Sequence, residues 1–283
     1  MAYRLLALDI DGTLLARDGS LTPPTARAVA RAAEAGIRPV LCTGRRYRTA
    51  RPIADLLGLS GPIVCNSGAL VKDLNDGSTV HRADLDEATL RAALSTLDAL
   101  GELAVCFTDR ADSSADFVVH AHPSGRPLLD DFVARNLHHA EVDPAWRSRL
   151  ADEPRYHLCA VGERPSMLAL EESLHLSLPG RVQTFVQKSP SYAGTMCEVL
   201  APGASKWSAI LELAGRWGID ASEIVAVGDD MNDLPMIAGA GLGVAMGHSP
   251  GVVLRAADHV AGTDEEEGLC AFIEEHLLGG QRR

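Results

Sequence analysis

Asp9 and Asp11 stand two residues apart in LALDIDGTLL, at the end of an apolar run from Tyr3 to Ile10 that reads as a buried strand. Alternation along a strand puts both carboxylates on one side, and the end of a strand in an open α/β sheet faces a crevice. Gly12 permits an abrupt turn there, and Thr13 offers a hydroxyl and a backbone N–H. A lone DxD is equally an ordinary loop turn. A second acidic run, GDDMND, follows the apolar run EIVAVG and adds Asp229, Asp230 and Asp233 at another strand end. By itself it also fits a solvated turn capping the next helix. Five carboxylates in two strand-end loops, however, need a cation. Carboxylate oxygens suit Mg2+, which keeps several waters and is shared with substrate phosphates.

Thr43-Gly44-Arg45 closes the apolar run IRPVLC. A hydroxyl and backbone N–H groups at a helix start there can hold a phosphoryl oxygen, although Thr43 also suits a plain helix cap. Lys206 sits at the start of the helical pattern SKWSAILELAGRW, where its charge opposes the helix dipole and so costs stability. That placement points to a functional reason, or to a long side chain turned out into solvent.

The elements that must position these groups follow from periodicity. A helix over 22–35 is capped by Thr22 with Pro23 in its first turn and closed by Gly36; a second runs over about 45–57 with Pro52 kinking or shortening it. PIVCN supplies a third buried strand, and Asn75-Asp76-Gly77 between short apolar segments reads as a hairpin. From about Leu85 to Leu200 a helix LDEATLRAALSTLDAL and the strands ELAVCF, DFVVH, YHLCAV, RVQTFVQ and TMCEVL, interleaved with two helical patterns, form a separate α+β unit. After Pro202-Gly203 the α/β rhythm resumes with strands EIVAVG and LGVAMG and a terminal helix, so the core is discontinuous. The acidic run over 264–267 reads as a solvated helix start, and GGQRR as a frayed tail.

Together DIDGT, TGR, the lysine of GASKW and GDDMND, in that order, resemble the four motifs of the haloacid dehalogenase superfamily. The likeness covers essentially the whole chain and is strongest to the Cof-type phosphatases, which carry a large C2-type cap between the second and third motifs. The resemblance implies an α/β fold with a Rossmannoid parallel-sheet core formed by residues 1–84 and 201–283, and an inserted α+β cap over 85–200 that chooses the leaving group. It implies that Asp9 attacks phosphorus to give an aspartyl phosphate, and that Asp11 first protonates the leaving alcohol and then deprotonates water. Mg2+ would be held by Asp9, the Asp11 carbonyl and Asp229. Thr43, Gly44 and Lys206 would bind the phosphoryl group, with Asn66 of CNSGAL beside it. Asn232 and Asp233 would position the waters of the metal and the lysine from behind. Two departures stand out: Trp207 follows the lysine where the family commonly has glycine, and Ser67 interrupts the usual NGA. His120, His122, Arg126 and Lys188 of the cap lie near strand ends, where such residues either touch substrate or are merely solvated.

Composition narrows the partners. The chain has 283 residues, 46% hydrophobic and 23% charged, with 38 acidic against 26 basic side chains and a formal charge of -12. That field repels nucleic acid and anionic membranes, and 4% aromatics leaves few base-stacking surfaces. No apolar run approaches the length of a membrane span, and no signal segment is visible, so a cytoplasmic location is expected. The six scattered cysteines read as reduced core residues without zinc spacing. The expected activity is hydrolysis of small phosphomonoesters such as sugar phosphates. Transfer to a second sugar hydroxyl, or noncatalytic sensing of a phosphorylated metabolite, are the alternatives.

Overall fold

Leu5–Leu8 form strand β1, and all four side chains are buried, as expected of a strand inside a parallel sheet covered on both faces. The computed structural model describes residues 3–16, 18–110, 113–188, 192–263 and 267–279. Most of the acidic run over 264–267 and of the GGQRR tail therefore lies outside the described residues. The chain divides into two compact units, Met1–His81 with Ser205–Arg283, and Arg82–Ala204.

In the first stretch, α1 (Pro23–Glu34) starts where Thr22 accepts a hydrogen bond from the Thr25 N–H, and its face of Ala28, Val29 and Ala32 is buried. Strand β2 (Arg38–Leu41) and helix α2 (Tyr47–Leu56) follow; the helix runs on through Pro52 rather than ending at it. Strand β3 (Pro62–Cys65) pairs antiparallel with β4 (Leu70–Asp73), and β5 (Thr79–Arg82) completes this small sheet through the Asn75-Asp76-Gly77 turn. PIVCN is thus a buried strand, but it pairs within this small sheet and meets the parallel sheet at an isolated bridge, Cys42 to Val64.

The second unit opens with α3 (Glu87–Ala99), capped by Asp86 on the Thr89 N–H. Its elements are β6 (Ala104–Phe107), β7 (Phe117–Val119), α4 (Pro127–Arg135), β8 (Ala140–Val142), β9 (His157–Gly162), α5 (Arg164–Ser177), β10 (Gln183–Lys188) and β11 (Thr195–Leu200). The sheet runs β10-β11-β9-β6-β7-β8 and is antiparallel except for the β7–β8 pair. Strand β8, with its half-exposed AEV, carries no apolar signal and is absent from the sequence reading.

The chain returns through α6 (Lys206–Trp217), β12 (Ile224–Gly228), α7 (Leu234–Gly239), β13 (Leu242–Ala245), α8 (Gly251–Ala256), β14 (His259–Val260) and α9 (Gly268–Phe272), which continues into a π-helical stretch Ile273–Leu278. The core sheet is parallel in the order β14-β13-β12-β1-β2. Leu8 stands level with Leu41 and with Val227, so the loops after β1, β2 and β12 leave the sheet side by side at its carboxyl edge. Because β1 lies between β2 and β12, this is the switch point where open α/β sheets bind ligands. Among the described residues no helix is long and apolar enough to cross a membrane. The cysteines there are thiols, five of them buried.

His157 is buried in the second unit, stacked 4.4 Å from the Phe107 ring and with Nε2 3.4 Å from Glu198 Oε1. Burial pushes its pKa down to about 3, below the value near 6.5 of an unfolded chain. The folded state therefore favours the neutral ring: the stability it contributes is complete above about pH 6.5 and is lost as pH falls from there toward 3. Urea unfolding across this range should show stability falling by on the order of 1 kcal/mol per pH unit more in the wild type than in His157→Phe. Parallel pH profiles would show that the ring is not held neutral.

Candidate active site

The loop after β1 begins with Asp9, whose backbone N–H still donates to Val227 O as a continuation of the sheet. Its carboxylate is buried, and Oδ1 accepts from Lys206 Nζ at 2.7 Å. The same ammonium donates to Asp233 Oδ1 at 2.6 Å. Asp233 uses its other oxygen to accept the N–H groups of Asp229 and Asp230 at 3.0 and 3.1 Å. It is thereby the buried clasp of the GDDMND turn, and it also starts α7. The Asp230 side chain accepts from the next residue, Met231, and its carbonyl from the Asp233 N–H, the bonds of an ordinary turn residue.

Lys206 is the first residue of α6, capped by Ser205, whose Oγ accepts from the Ser208 N–H while its own N–H donates to Ser208 Oγ. Its side chain turns inward and is 1% exposed, so the solvated alternative does not hold. Burial alone would lower its pKa, but Asp233 and then Asp9 outweigh this and hold the ammonium above the ordinary lysine range. Burial, followed by the nearby Asp233 charge, pushes Asp9 well above the ordinary carboxylate range, with Lys206 opposing. Asp229 is raised too, by burial first, with His248 opposing.

Ligand oxygens of Asp9, Asp229 and Asp233 lie within 4.8 Å of one another. Three carboxylates against one ammonium leave two negative charges in excess in a buried space, which a divalent cation would balance. The donors are all hard oxygens, so the residues present fit Mg2+.

Asp11 is turned elsewhere. Its two oxygens accept from Arg45 Nε and Nη2 at 2.7 and 2.5 Å, a bidentate pair. This pairing holds Arg45 above its ordinary pKa, through the Asp11 hydrogen bond first. In the sequence Arg45 stands out only as part of TGR; the pairing of β1 with β2 is what brings it to Asp11. Thr43 is buried and its Oγ1 accepts from the Arg45 N–H at 3.0 Å, so it does cap the turn. A hydroxyl that accepts one bond still has its own proton to donate. Gly44 lies between them with its backbone in the same turn.

Asn66 and Ser67 are buried with positive φ of 49° and 53°, their N–H groups bonded to Arg45 O and Thr43 O. Asn232 donates to Ser67 Oγ at 3.2 Å, tying this loop to the GDDMND turn. Ser67, which in the sequence stands out only as a departure from NGA, is the residue that meets Asn232. Trp207 packs on the end of α7, where a methyl at position 239 would meet its Nε1 at 2.4 Å, so the departure after the lysine is absorbed by a glycine. Of the second-unit residues, Arg126 reaches Gly101 O, and His122 Nδ1 lies 3.5 Å from Asp130 Oδ1.

The sequence matches the family of haloacid dehalogenase-like hydrolases over residues 6–273. It is 29% identical over 286 residues to the pyridoxal phosphate phosphatase YbhA of Escherichia coli, covering 98% of this chain and 100% of that one. It is 26% identical over 277 residues to the 5-amino-6-(5-phospho-D-ribitylamino)uracil phosphatase YcsE of Bacillus subtilis, covering 97% and 96%. The fold superposes on a haloacid dehalogenase-like hydrolase from Bacteroides thetaiotaomicron with a TM-score of 0.76 at 25% identity, covering 96% and 99%.

Gly68 has φ 97°, and a Cβ there would lie 2.0 Å from the Ser205 carbonyl oxygen, immediately before Lys206. Gly68→Ala should therefore cost more than the roughly 1–2 kcal/mol of a left-handed residue alone, read as a drop in denaturation midpoint. A midpoint within error of wild type would show that this contact does not seat α6.

Proposed function

The chain belongs to the haloacid dehalogenase-like hydrolases, and we propose that it is a Mg2+-dependent member hydrolysing small phosphomonoesters through an aspartyl phosphate on Asp9. It is a phosphatase of small phosphorylated substrates. The observation that carries the mechanism is the buried Asp9 carboxylate, held by Lys206 at the carboxyl edge of the sheet among Asp229 and Asp233.

Lys206 fixes one oxygen of Asp9, which orients the carboxylate for attack on phosphorus. The Asp9 oxygen forms the new O–P bond as the bond from phosphorus to the ester oxygen breaks, and Asp11 supplies the proton that the leaving oxygen takes. Water then attacks the phosphorus of the aspartyl phosphate, Asp11 accepts its proton, and phosphate leaves with Asp9 restored. Arg45 grips Asp11 through both oxygens, so the acid must turn from the guanidinium toward the ester to act. Thr43 Oγ1, the backbone at Gly44 and the Lys206 ammonium stabilise charge on the phosphoryl oxygens. Asn66 stands beside them.

Both oxygens of Asp233 are committed, to Lys206 and to the Asp229 and Asp230 N–H groups, so Asp233 positions rather than ligates. The residues that would hold Mg2+ are Asp9, Asp229 and the carbonyl of Asp11. The ion supplies positive charge that offsets repulsion between a carboxylate nucleophile and an anionic ester. Residues 82–204, inserted between the second and third motifs, are the cap that selects the leaving group. Relatives named for pyridoxal phosphate and for a phosphoribitylaminouracil make ring-bearing metabolites the first substrates to try.

Phosphate release from a panel of phosphosugars, nucleotides, flavin mononucleotide and pyridoxal phosphate tests this. Release should require Mg2+, stop with EDTA, and fall by about three orders of magnitude or more in Asp9→Asn. Release that survives EDTA or Asp9→Asn at the wild-type rate would overturn it.

A further inference from the structure

His248 lies in the turn after β13 and takes no part in the motifs that identify the family. Its Nε2 is 3.6 Å from Asp229 Oδ2. On the opposite side, Thr13 Oγ1 donates to Asp229 Oδ1 at 3.4 Å. The sheet order explains the bracket. Strand β12, which ends just before Asp229, runs between β13 and β1, so the turns after those two strands flank it. The β13 turn is tied down by the Met246 N–H on Gly228 O at 3.1 Å and by the Ser249 N–H on Met246 O at 3.0 Å. Gly12 lets the β1 turn come equally close: a Cβ at that position would lie 2.5 Å from Asp229 Oδ2.

We propose that His248 is a positioning residue of the cation site, holding Asp229 Oδ2 from the β13 side while Thr13 holds Oδ1 from the β1 side. The inference rests on the reading of Asp229 as a ligand of the metal. A carboxylate that a cation must share with other groups binds better when its rotation is fixed beforehand, and an N–H or O–H on the outer lone pairs does this while leaving the inner ones for the ion. Imidazole suits the task, because a neutral ring donates one hydrogen bond without bringing a competing charge. Among the described residues His248 and Thr13 are the side chains that reach Asp229 from neighbouring strands.

The test is calorimetric titration of MgCl2 into EDTA-stripped, dialysed full-length protein, so that binding rather than turnover is read. The variants are His248→Phe, which keeps a ring without a donor, His248→Gln, which keeps a donor nitrogen at similar reach, and Asp229→Asn. His248→Phe should weaken Mg2+ binding by about 10- to 100-fold with the melting temperature of the metal-free protein unchanged, and His248→Gln should recover most of the affinity. If the phenylalanine variant fails to fold, His248→Ala takes its place. Wild-type affinity in the donorless variant, with binding lost in Asp229→Asn, would overturn the role of His248 and leave the metal reading standing. Wild-type affinity in Asp229→Asn would overturn the metal reading itself.

Discussion

A lysine ammonium buried to 1% exposure is stable only if carboxylates replace the water it has lost, and Lys206 has two, Asp9 and Asp233, each within 2.7 Å. The rest of the first unit can be understood from this contact. It joins the loop after β1 to the start of α6 and the turn after β12, the first lying nearly two hundred residues before the other two in sequence. Removing either carboxylate would strand a buried charge, so the three segments must arrive together.

The arrangement of the sheet makes that arrival geometric rather than accidental. Parallel register brings the ends of β1, β2 and β12 level, and Ser205, packed against the Gly68 backbone, fixes where α6 begins. Asp233 then does double duty, neutralising the lysine with one oxygen and closing its own turn with the other. The lysine answers only one of the charges of the cluster, and in the proposed reaction a cation entering with the anionic ester would answer the rest.

Much of this is legible in the sequence because two acidic loops, a threonine and a lysine each follow an apolar run or open a helical pattern in a fixed order, and the lysine does so against the helix dipole. The apolar periodicity likewise locates most strands and helices. What is missed has a common cause. The Arg45–Asp11 pair, the Ser67–Asn232 hydrogen bond and the approach of His248 to Asp229 join residues that are distant in the chain, and only the strand order makes them neighbours. Strands β8 and β14 are short and partly exposed, so no alternation announces them. PIVCN reads as a strand of the main sheet because burial is visible in sequence and pairing partner is not.

In the proposed reaction the Asp9 carboxylate held by Lys206 is the group that takes the phosphoryl. Acetyl phosphate labelled with 32P, mixed with the Mg2+-loaded protein and quenched in acid within milliseconds, tests it directly, with the labelled peptide identified by mass spectrometry. Label is expected on the peptide containing Asp9, turning over with time and absent from Asp9→Asn. Label carried by another residue, or acetyl phosphate hydrolysis with no labelled protein at any time, would contradict it.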